Sequence, residues 1–284
     1  MQFSLIVATV NRVDPLDRLL NSLTGQKFGD FEVIIADQNS DDRLAAVVAR
    51  YAPHIRINHV RARRGLSAAR NDGLAVAKGL LAAFPDDDCW YLPHTLAVID
   101  DWMKAHPTMG GISVACCDAD ARPSVQNWPP HGMKIDVRNV WRCAVSIGIF
   151  LHREKITAAG GFDESLGVGA LWESGEETDL LLRLLAGGMQ VFYEPEFLVG
   201  HANPTAHYDT AASARALGYG RGLGRVLAKH HRPLNEKAGV LVRPMLGAVF
   251  AILRGRGDKS RFYMQSLKGR CQGLRGAAGN DTLR

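Results

Sequence analysis

Short runs of apolar and β-branched residues alternate with amphipathic stretches along the first 115 residues of the chain. The runs have the length of strands and the stretches have the period of helices, so the pattern predicts alternating strands and helices. This alternation is typical of a Rossmann-like, three-layer α/β/α sandwich. The predicted strands are 3–9, 31–36, 55–60 and 80–84, and the predicted helices are 15–23, 42–51, 67–78 and 94–105.

The pattern is more mixed after Met109. It predicts strands at 110–115, 144–151 and 189–193, and a helix at 176–186 that stops at Gly187-Gly188. Residues 122–132 are predicted to lie in a long loop between the strands 110–115 and 144–151, and loops of this length inside a compact domain are often functional.

From residue 207 the sequence is mostly helical in pattern, rich in Gly and Ala, and increasingly basic. Residues from Arg221 onward contain 14 Lys and Arg and three acidic residues, a net charge of +11, whereas the first 220 residues carry −6 within a total of +5. We predict a main domain over 1–206, with halves 1–115 and 116–206, followed by a helical, basic extension over 207–284. Such an extension suits a nucleic acid or an anionic membrane.

Residues 239–253 are apolar, but Arg243 and Pro244 interrupt them, so a transmembrane helix is not predicted. Basic residues follow directly, which favours a helix lying in the headgroup plane of an anionic membrane over binding to nucleic acid. The alternative is a helix packed on the core. Glycine at every second position from Gly218 to Gly224 indicates close helix packing rather than a phosphate-binding loop.

The five cysteines are odd in number and include no CxxC pair. They therefore indicate neither a disulfide framework nor a zinc site, and reduced thiols fit a cytoplasmic protein.

Three consecutive carboxylates, Asp86, Asp87 and Asp88, follow a predicted strand through Pro85. Ligands of open α/β sheets bind at this end of the strands. If the segment is extended, Asp86 and Asp88 point the same way and Asp87 points elsewhere. Hard carboxylate oxygens suit Mg²⁺ or Mn²⁺, and a diphosphate would complete the coordination. A solvated acidic turn is the alternative.

Six motifs in order resemble those of family 2 glycosyltransferases, which have the GT-A (nucleotide-diphospho-sugar transferase) fold, and the resemblance runs from Leu5 to about His201. It suggests an enzyme of bacterial surface-polysaccharide synthesis. The motifs are Val7–Arg12, Asp37 with Ser40, Arg64–Asn71, Asp86–Asp88, Gly160–Glu164 and Gly175–Leu180.

The resemblance implies a role for several residues. Asp86 and Asp88, with His201, would hold a divalent cation, Mn²⁺ or Mg²⁺. The nucleotide sugar would be bound by Thr9, Asn11, Asp37, Arg70, Asp86 and Asp87. Three of these residues have simpler alternatives: Asp37 can cap a turn, Arg70 can form a helix-surface ion pair, and His201 can be an ordinary core or surface histidine.

A second acidic motif, Glu176-Glu177-Thr178-Asp179, is implied to supply the catalytic base. Family members usually carry Glu-Asp at the first two positions, so the base is Glu177 or, alternatively, Glu176. Ser174 and Glu177 also have the spacing of a capping box, and a helix N-terminus would keep such a base ionised. Trp172 and Asp179 are predicted to contact the acceptor. Ordinary packing is the alternative for Trp172, and an interaction with the helix dipole is the alternative for Asp179.

The predicted activity is an inverting sugar transfer from a nucleotide sugar, with UDP favoured and dTDP or GDP as alternatives, to a saccharide or lipid-linked acceptor. The predicted location is the cytoplasmic face of the inner membrane. No GxGxxG follows the first strand of this chain, which argues against a dehydrogenase. A sugar-phosphate nucleotidyltransferase is an alternative, although the chain lacks the Gly-rich, Arg-containing loop that such an enzyme has after its first strand. A non-catalytic, nucleotide-sugar-binding scaffold is a further alternative. The sequence does not specify an oligomeric state.

Overall fold

The computed structural model describes residues 1–203 and 207–276, which form strands β1–β9 and helices α1–α10. The elements in chain order are β1 (Phe3–Thr9), α1 (Val13–Thr24), β2 (Phe31–Asp37), α2 (Ala45–Tyr51), β3 (Arg56–Arg61), α3 (Leu66–Val76), β4 (Leu81–Ala83), β5 (Trp90–Tyr91), α4 (Thr95–Ala105), β6 (Gly111–Cys117), β7 (Met133–Lys134), α5 (Val140–Cys143), β8 (Ile149–His152), α6 (Arg153–Ala158), α7 (Glu176–Ala186), β9 (Val191–Gly200), α8 (Thr210–Lys229), α9 (Leu234–Leu253) and α10 (Gly257–Gly276).

Nine strands form one mixed sheet in the order β3-β2-β1-β4-β8-β6-β9-β5, with β7 paired to β9. The first four strands in sequence are parallel, β8 is antiparallel to both of its neighbours, and β6 and β9 are parallel to each other. Consequently β1, β2, β4 and β9 all end at the same edge of the sheet. Side chains just beyond these ends are brought together although they are far apart in sequence.

Alternate residues of the central strands face opposite helical layers. Phe3, Leu5 and Val7 of β1 pack with apolar residues of α1, α2 and α4. On the other face, α3 approaches so closely that a Cβ atom at Gly73 would lie 2.5 Å from Ile6. The predicted three-layer α/β/α arrangement is therefore confirmed.

One predicted strand is shorter than its apolar pattern suggested. Residues 144–151 are uniformly apolar or small, but Ser146–Gly148 form a 3-10 turn, and β8 begins only at Ile149. A Cβ atom at Gly148 would lie 2.5 Å from the carbonyl oxygen of Val114. The chain turns here against β6, and hydrophobicity alone does not show such a turn.

The chain divides into two compact units. The first unit, residues 1–162 and 180–203, contains the sheet. The second unit joins residues 163–179 to the C-terminal helices. The sequence predicts 116–206 as one half of the main domain, whereas residues 163–179 pack with α8. The Ser174 hydroxyl, for example, donates to the carbonyl of Tyr219 at 3.0 Å.

Helices α8 and α10 pack at very short range through glycines on both sides. A Cβ atom at Gly224 would lie 2.3 Å from the carbonyl oxygen of Arg270, and one at Gly269 would lie 2.1 Å from that of Leu217. This geometry supports the predicted packing role of the glycines between Gly218 and Gly224. No helix in the described ranges is long and apolar enough to cross a bilayer.

Replacing Gly224 with alanine is expected to destabilise the helical unit by about 1–3 kcal/mol, because the added methyl group meets backbone atoms that cannot move aside. Gly239→Ala in α9 is the matched control, since a Cβ atom at Gly239 meets nothing within 4 Å. Thermal denaturation followed by circular dichroism measures both effects. Equal melting temperatures for the two variants would contradict the close contact.

Candidate functional site

The acidic run lies in a tight turn between β4 and β5. The amide of Cys89 donates to the carbonyl of Asp86 at 3.2 Å, which closes a turn over the three carboxylates. The segment is therefore not extended, and the predicted reason for separating Asp87 from its neighbours was wrong. The predicted result still holds, because Asp86 and Asp88 face a common point and Asp87 turns into the core.

Asp86 is paired with a buried arginine of α3. The Nη2 atom of Arg70 lies 3.0 Å from Oδ1 of Asp86, and the Arg70 side chain is only 1% exposed. Its guanidinium carbon also lies 6.0 and 5.5 Å from the ring centres of Phe84 and Phe162. Arg70 therefore does not form the surface ion pair considered as an alternative; it is a buried cation fixed beside the acidic run.

Asp87 is buried and bonded to the end of β1. Thr9 donates its hydroxyl to Asp87 at 2.6 Å, and Nε of Arg12 lies 3.1 Å from the same carboxylate. Burial raises the pKa of Asp87 to about 6, against the opposing effects of Thr9 and Arg12. Thr9 is 1% exposed and Asp87 4% exposed. These two predicted nucleotide contacts therefore bind each other and support the floor of the site.

Asp88 and His201 meet across the paired ends of β5 and β9. Trp90 pairs with Gly200 in this ladder, so the residues just before β5 lie beside the residue just after β9. Nε2 of His201 is 3.4 Å from Asp88, and Nη2 of Arg12 is 2.6 Å from it. The imidazole and then the guanidinium hold the pKa of Asp88 well below its usual range. The same contact with Asp88 raises the pKa of His201.

Asp86, Asp88 and His201 form a group that could hold a metal ion, since one ligand atom of each lies within 4.8 Å of the others. Two carboxylate oxygens and one imidazole nitrogen suit Mn²⁺ or Mg²⁺. Nδ1 of His201 lies 2.5 Å from the carbonyl of Ala202, an arrangement that fixes the ring and leaves Nε2 facing the acids. The residues present therefore fit the predicted cation.

Asp37, at the end of β2, is fully buried and surrounded by donors. Asn39 donates to it through its amide and its side chain at 2.8 and 2.7 Å, and His59 and Arg61 of β3 each lie 2.9 Å away. Burial would raise the pKa of Asp37, but these contacts outweigh it and lower the pKa. A nucleotide contact through Asp37 would therefore have to displace one of these donors.

Asn11 stands at the exposed end of β1 and joins the loops after β1 and β2. Its φ of 59° is in the left-handed region, which asparagine tolerates better than most residues. Its amide donates to Asn39 at 2.8 Å, and its side-chain oxygen accepts from Arg43 at 2.7 Å. The predicted nucleotide-binding residues Asn11 and Asp37 therefore share one hydrogen-bonded loop cluster.

Two of the sequence motifs meet through Asn71. Its side chain accepts from the amide of Phe162 at 2.8 Å and donates to the carbonyl of Phe162 at 2.9 Å. Gly161 adopts a φ of 71°, and a Cβ atom there would lie 2.6 Å from Asn71. The motifs 64–71 and 160–164 thus fix the segment that carries Phe162 against Arg70.

The second acidic motif opens helix α7. The first helical bond runs from the amide of Asp179 to the carbonyl of Gly175, so Gly175 is the N-cap. The predicted capping box, with Ser174 as N-cap, is therefore out of register by one residue. Glu176 is 6% exposed, whereas Glu177 is partly exposed. Of the two candidate bases, Glu177 is the more accessible to a substrate.

Asp179 is fully buried within the second unit and is held by the end of α8. Nζ of Lys229 lies 2.7 Å from Asp179 and also 2.7 Å from Asp163, and Nε2 of His230 lies 2.8 Å from Asp179. An acceptor contact through Asp179, as predicted, would therefore have to displace Lys229 or His230. Lys229 links the acids of two sequence motifs, which orders the start of α7.

Trp172 is partly buried beside the C-terminal helices. The guanidinium of Arg225 lies 5.8 Å from its ring centre, and a Cβ atom at Gly276 would lie 2.3 Å from the ring. Packing thus accounts for one part of the Trp172 ring, and the residue stays partly exposed.

Three basic contributors were missed by sequence reasoning. Arg12 was noted only as part of a motif, yet it bonds to Asp87 and Asp88, about 75 residues away. Arg61 and Lys229 were given no role. Of these three residues, only Arg12 could have been assigned to the site from the sequence. It follows β1, which pairs with β4, the strand that leads into the acidic run.

Comparison with known proteins agrees with this geometry. Residues 4–153, more than half of the chain, match the family model described as glycosyl transferase family 2. A Haemophilus influenzae protein named an uncharacterized glycosyltransferase is 27% identical over 219 residues, which cover 75% of this chain and 69% of that protein.

A Campylobacter jejuni relative is named GalNAc(5)-diNAcBac-PP-undecaprenol beta-1,3-glucosyltransferase. It is 32% identical over 105 residues, which cover 34% of this chain and 33% of that protein. The Escherichia coli relative YibD, an uncharacterized glycosyltransferase, is 33% identical over 128 residues, 42% of this chain and 34% of that protein. The matches thus span about a third of these two relatives.

Solved structures share the fold at low sequence identity. Staphylococcus aureus TarS has a TM-score of 0.62 and 16% identity, covering 94% of this chain and 55% of that one. The mannosyltransferase PcManGT of Pyrobaculum calidifontis, solved with GDP-Man and Mn²⁺, has a TM-score of 0.68 and 20% identity, covering 96% and 87%. The family match and the shared architecture together show that the chain belongs to glycosyl transferase family 2 and has the GT-A fold.

Proposed function

We propose that this glycosyltransferase uses a nucleotide-diphosphate sugar as donor and a divalent cation, Mn²⁺ or Mg²⁺, at Asp86, Asp88 and His201. The observation that carries this proposal is the convergence of these three ligands at the strand ends. PcManGT, which shares the fold, was solved with GDP-Man and Mn²⁺, and TarS with UDP-GlcNAc. UDP remains the favoured nucleotide, with dTDP and GDP as alternatives.

A cation held here would supply positive charge for the leaving diphosphate. The chain adds two guanidiniums of its own beside the acidic run. Arg70 is buried and fixed, and Arg12 is partly exposed and can turn toward a phosphate. Thr9 and Asp87 hold the floor of this site by bonding to each other. Asn11 and Asp37 organise the adjacent loops, where we place the nucleoside.

The proposed reaction is a single displacement with inversion at the anomeric carbon. Glu177 takes the proton from an acceptor hydroxyl, whose oxygen forms the new bond to the anomeric carbon as the bond to the diphosphate breaks. Its place in the first turn of α7 favours the ionised carboxylate, because the helix N-terminus carries partial positive charge. Glu176 is the alternative base. Trp172 is proposed to stack against the acceptor sugar.

We propose a lipid-linked saccharide as acceptor, in cell-surface polysaccharide synthesis at the cytoplasmic face of an anionic membrane. The name of the Campylobacter relative specifies an undecaprenol-linked acceptor, which supports this acceptor class. The net charge of +11 from Arg221 onward supports an anionic surface as partner.

A panel of nucleotide sugars tests the donor and cation proposals together. Each donor is incubated with the full chain and Mn²⁺ or Mg²⁺, and release of nucleoside diphosphate is measured. One donor should turn over well above the others, and EDTA should abolish its turnover. Turnover that persists in EDTA would contradict the cation proposal. Donor binding without turnover would instead support the non-catalytic scaffold.

Cation binding is expected to strengthen as the pH rises. His201 must be neutral to bind a metal, and Asp88 raises the pKa of His201 above that of a free imidazole, so protons compete with the cation below that raised pKa. Between about pH 6 and about pH 8 we expect up to roughly tenfold tighter Mn²⁺ binding per pH unit below that pKa. Titration of Mn²⁺ followed by electron paramagnetic resonance measures this. His201→Gln should bind more weakly and lose the pH dependence; an unchanged pH profile would exclude His201 as a ligand.

A further inference from the structure

Helix α9 presents large apolar side chains to solvent along one face. Val242, Leu246, Val249, Phe250 and Leu253 recur at the spacing of a single helix face, and they are 42%, 48%, 48%, 58% and 76% exposed, respectively. Met245 and Ile252 border this face and are 47% and 64% exposed. We call these seven residues the α9 apolar face.

The opposite side of α9 already packs within the second unit. Pro244, Ala248 and Ala251 are buried, and a Cβ atom at Gly247 would lie 3.0 Å from the ring of Tyr263 in α10. The helix therefore turns its small residues toward the protein and its large apolar residues toward solvent, whereas a surface helix usually buries its large apolar residues. A contiguous exposed patch of this kind marks an interaction surface.

Positive charge borders the α9 apolar face. Arg243 lies within the helix, Arg254 and Arg256 follow its end, and all three are exposed. The two acidic residues of this region are already paired: Glu236 lies 2.7 Å from Arg232, and Asp258 lies 3.5 Å from Arg261. The basic groups beside the face are thus not neutralised by these two acids.

The charge decides between two occupants of the face. Residues 234–276 contain nine Lys and Arg against two acidic residues. A second copy of the chain would bring equal positive charge to the same contact, which is unfavourable. A bilayer with anionic headgroups offers hydrocarbon to the apolar side chains and phosphate to the arginines beside them.

We infer that α9 lies in the headgroup plane of an anionic bilayer, with the α9 apolar face in the acyl boundary and Arg243, Arg254 and Arg256 on lipid phosphates. This inference rests on the proposed function for its membrane partner and assigns the docking to one helix face. It would place the enzyme at the surface where a lipid-linked acceptor is found.

Vesicle flotation tests the inference with the full chain. Vesicles of phosphatidylcholine alone are compared with vesicles that also contain phosphatidylglycerol. The wild type should float with the anionic vesicles, and Phe250→Ser/Leu253→Ser should reduce the bound fraction at least tenfold. Val76→Ser/Leu80→Ser is the matched control, because it removes two exposed apolar residues of the first unit, and it should float like the wild type. Thermal melting confirms that each variant is folded.

The other outcomes are equally decisive. The inference would be overturned if Phe250→Ser/Leu253→Ser floated with anionic vesicles as the wild type does. It would also be overturned if the wild type did not bind anionic vesicles. Sedimentation that reveals a dimer lost in this variant, without vesicle binding, would assign the face to a second copy. Asp88→Asn should keep vesicle binding while losing nucleoside diphosphate release. Phe250→Ser/Leu253→Ser should lose vesicle binding while keeping nucleoside diphosphate release. Failure of the docking and failure of the proposed chemistry are therefore distinguishable.

Discussion

Asp88→Asn is expected to weaken Mn²⁺ binding by roughly 100-fold or more and to abolish release of nucleoside diphosphate. The substitution keeps the shape of the side chain but removes the charge that faces both His201 and Arg12. The remaining ligands, one carboxylate and one imidazole, hold a hard divalent cation poorly. Titration with Mn²⁺ in the absence of donor measures binding without relying on turnover.

Asp101→Asn provides the control for this substitution, because Asp101 is an exposed acid of α4 outside the cluster that could hold a metal. It should bind Mn²⁺ and turn over donor as the wild type does. If Asp88→Asn bound Mn²⁺ with unchanged affinity, the cation would have to lie elsewhere, and the proposed role of His201 would fall with it.

Glu177→Gln is expected to lower turnover by about 10²–10⁴-fold while leaving Mn²⁺ and donor binding unchanged. Glutamine preserves the size of the side chain but cannot take the proton from the hydroxyl of the acceptor. Glu176→Gln should have a smaller effect on turnover, since Glu176 is 6% exposed and Glu177 is partly open to solvent. The turnover of both variants is measured with the donor that the nucleotide-sugar panel identifies, and donor binding is measured separately.

Glu154→Gln serves as the control for the loss of one carboxylate, because Glu154 is 84% exposed and lies in α6. The reverse order of effects, with Glu176→Gln nearly inactive and Glu177→Gln active, would transfer the base to Glu176. Full activity in both variants would remove α7 from the chemistry.

The sequence predicted the sheet well where an apolar run forms a complete strand. The predicted strand at 3–9 coincides with β1. The same holds for one amphipathic stretch, since the predicted helix at 176–186 coincides with α7. It succeeded less well where the backbone turns against a neighbour, as at Ser146–Gly148. Hydrophobic period reports burial, but it does not report the backbone angles that a crowded contact imposes.

The site was predictable in its acids and much less so in their partners. The place of Asp86 and Asp88 follows from a strand end, which is a local feature. Two partners of Asp37, His59 and Arg61, come from β3, and those of Asp179 come from the end of α8 about 50 residues later. Contacts of this kind depend on tertiary packing, and no single segment of the sequence encodes them.

The contacts of Arg12 have a consequence for the order in which ligands arrive. With Arg70 on Asp86, and Arg12 and His201 on the other two acids, the run is close to electroneutral in the free protein. A divalent ion that arrives without donor must compete with the Arg12 guanidinium for Asp88, which lowers its affinity. A diphosphate gives Arg12 a new partner and frees Asp88. We therefore expect a bound donor to tighten the Mn²⁺ binding that the free protein shows, so that metal and donor enter most favourably as one complex.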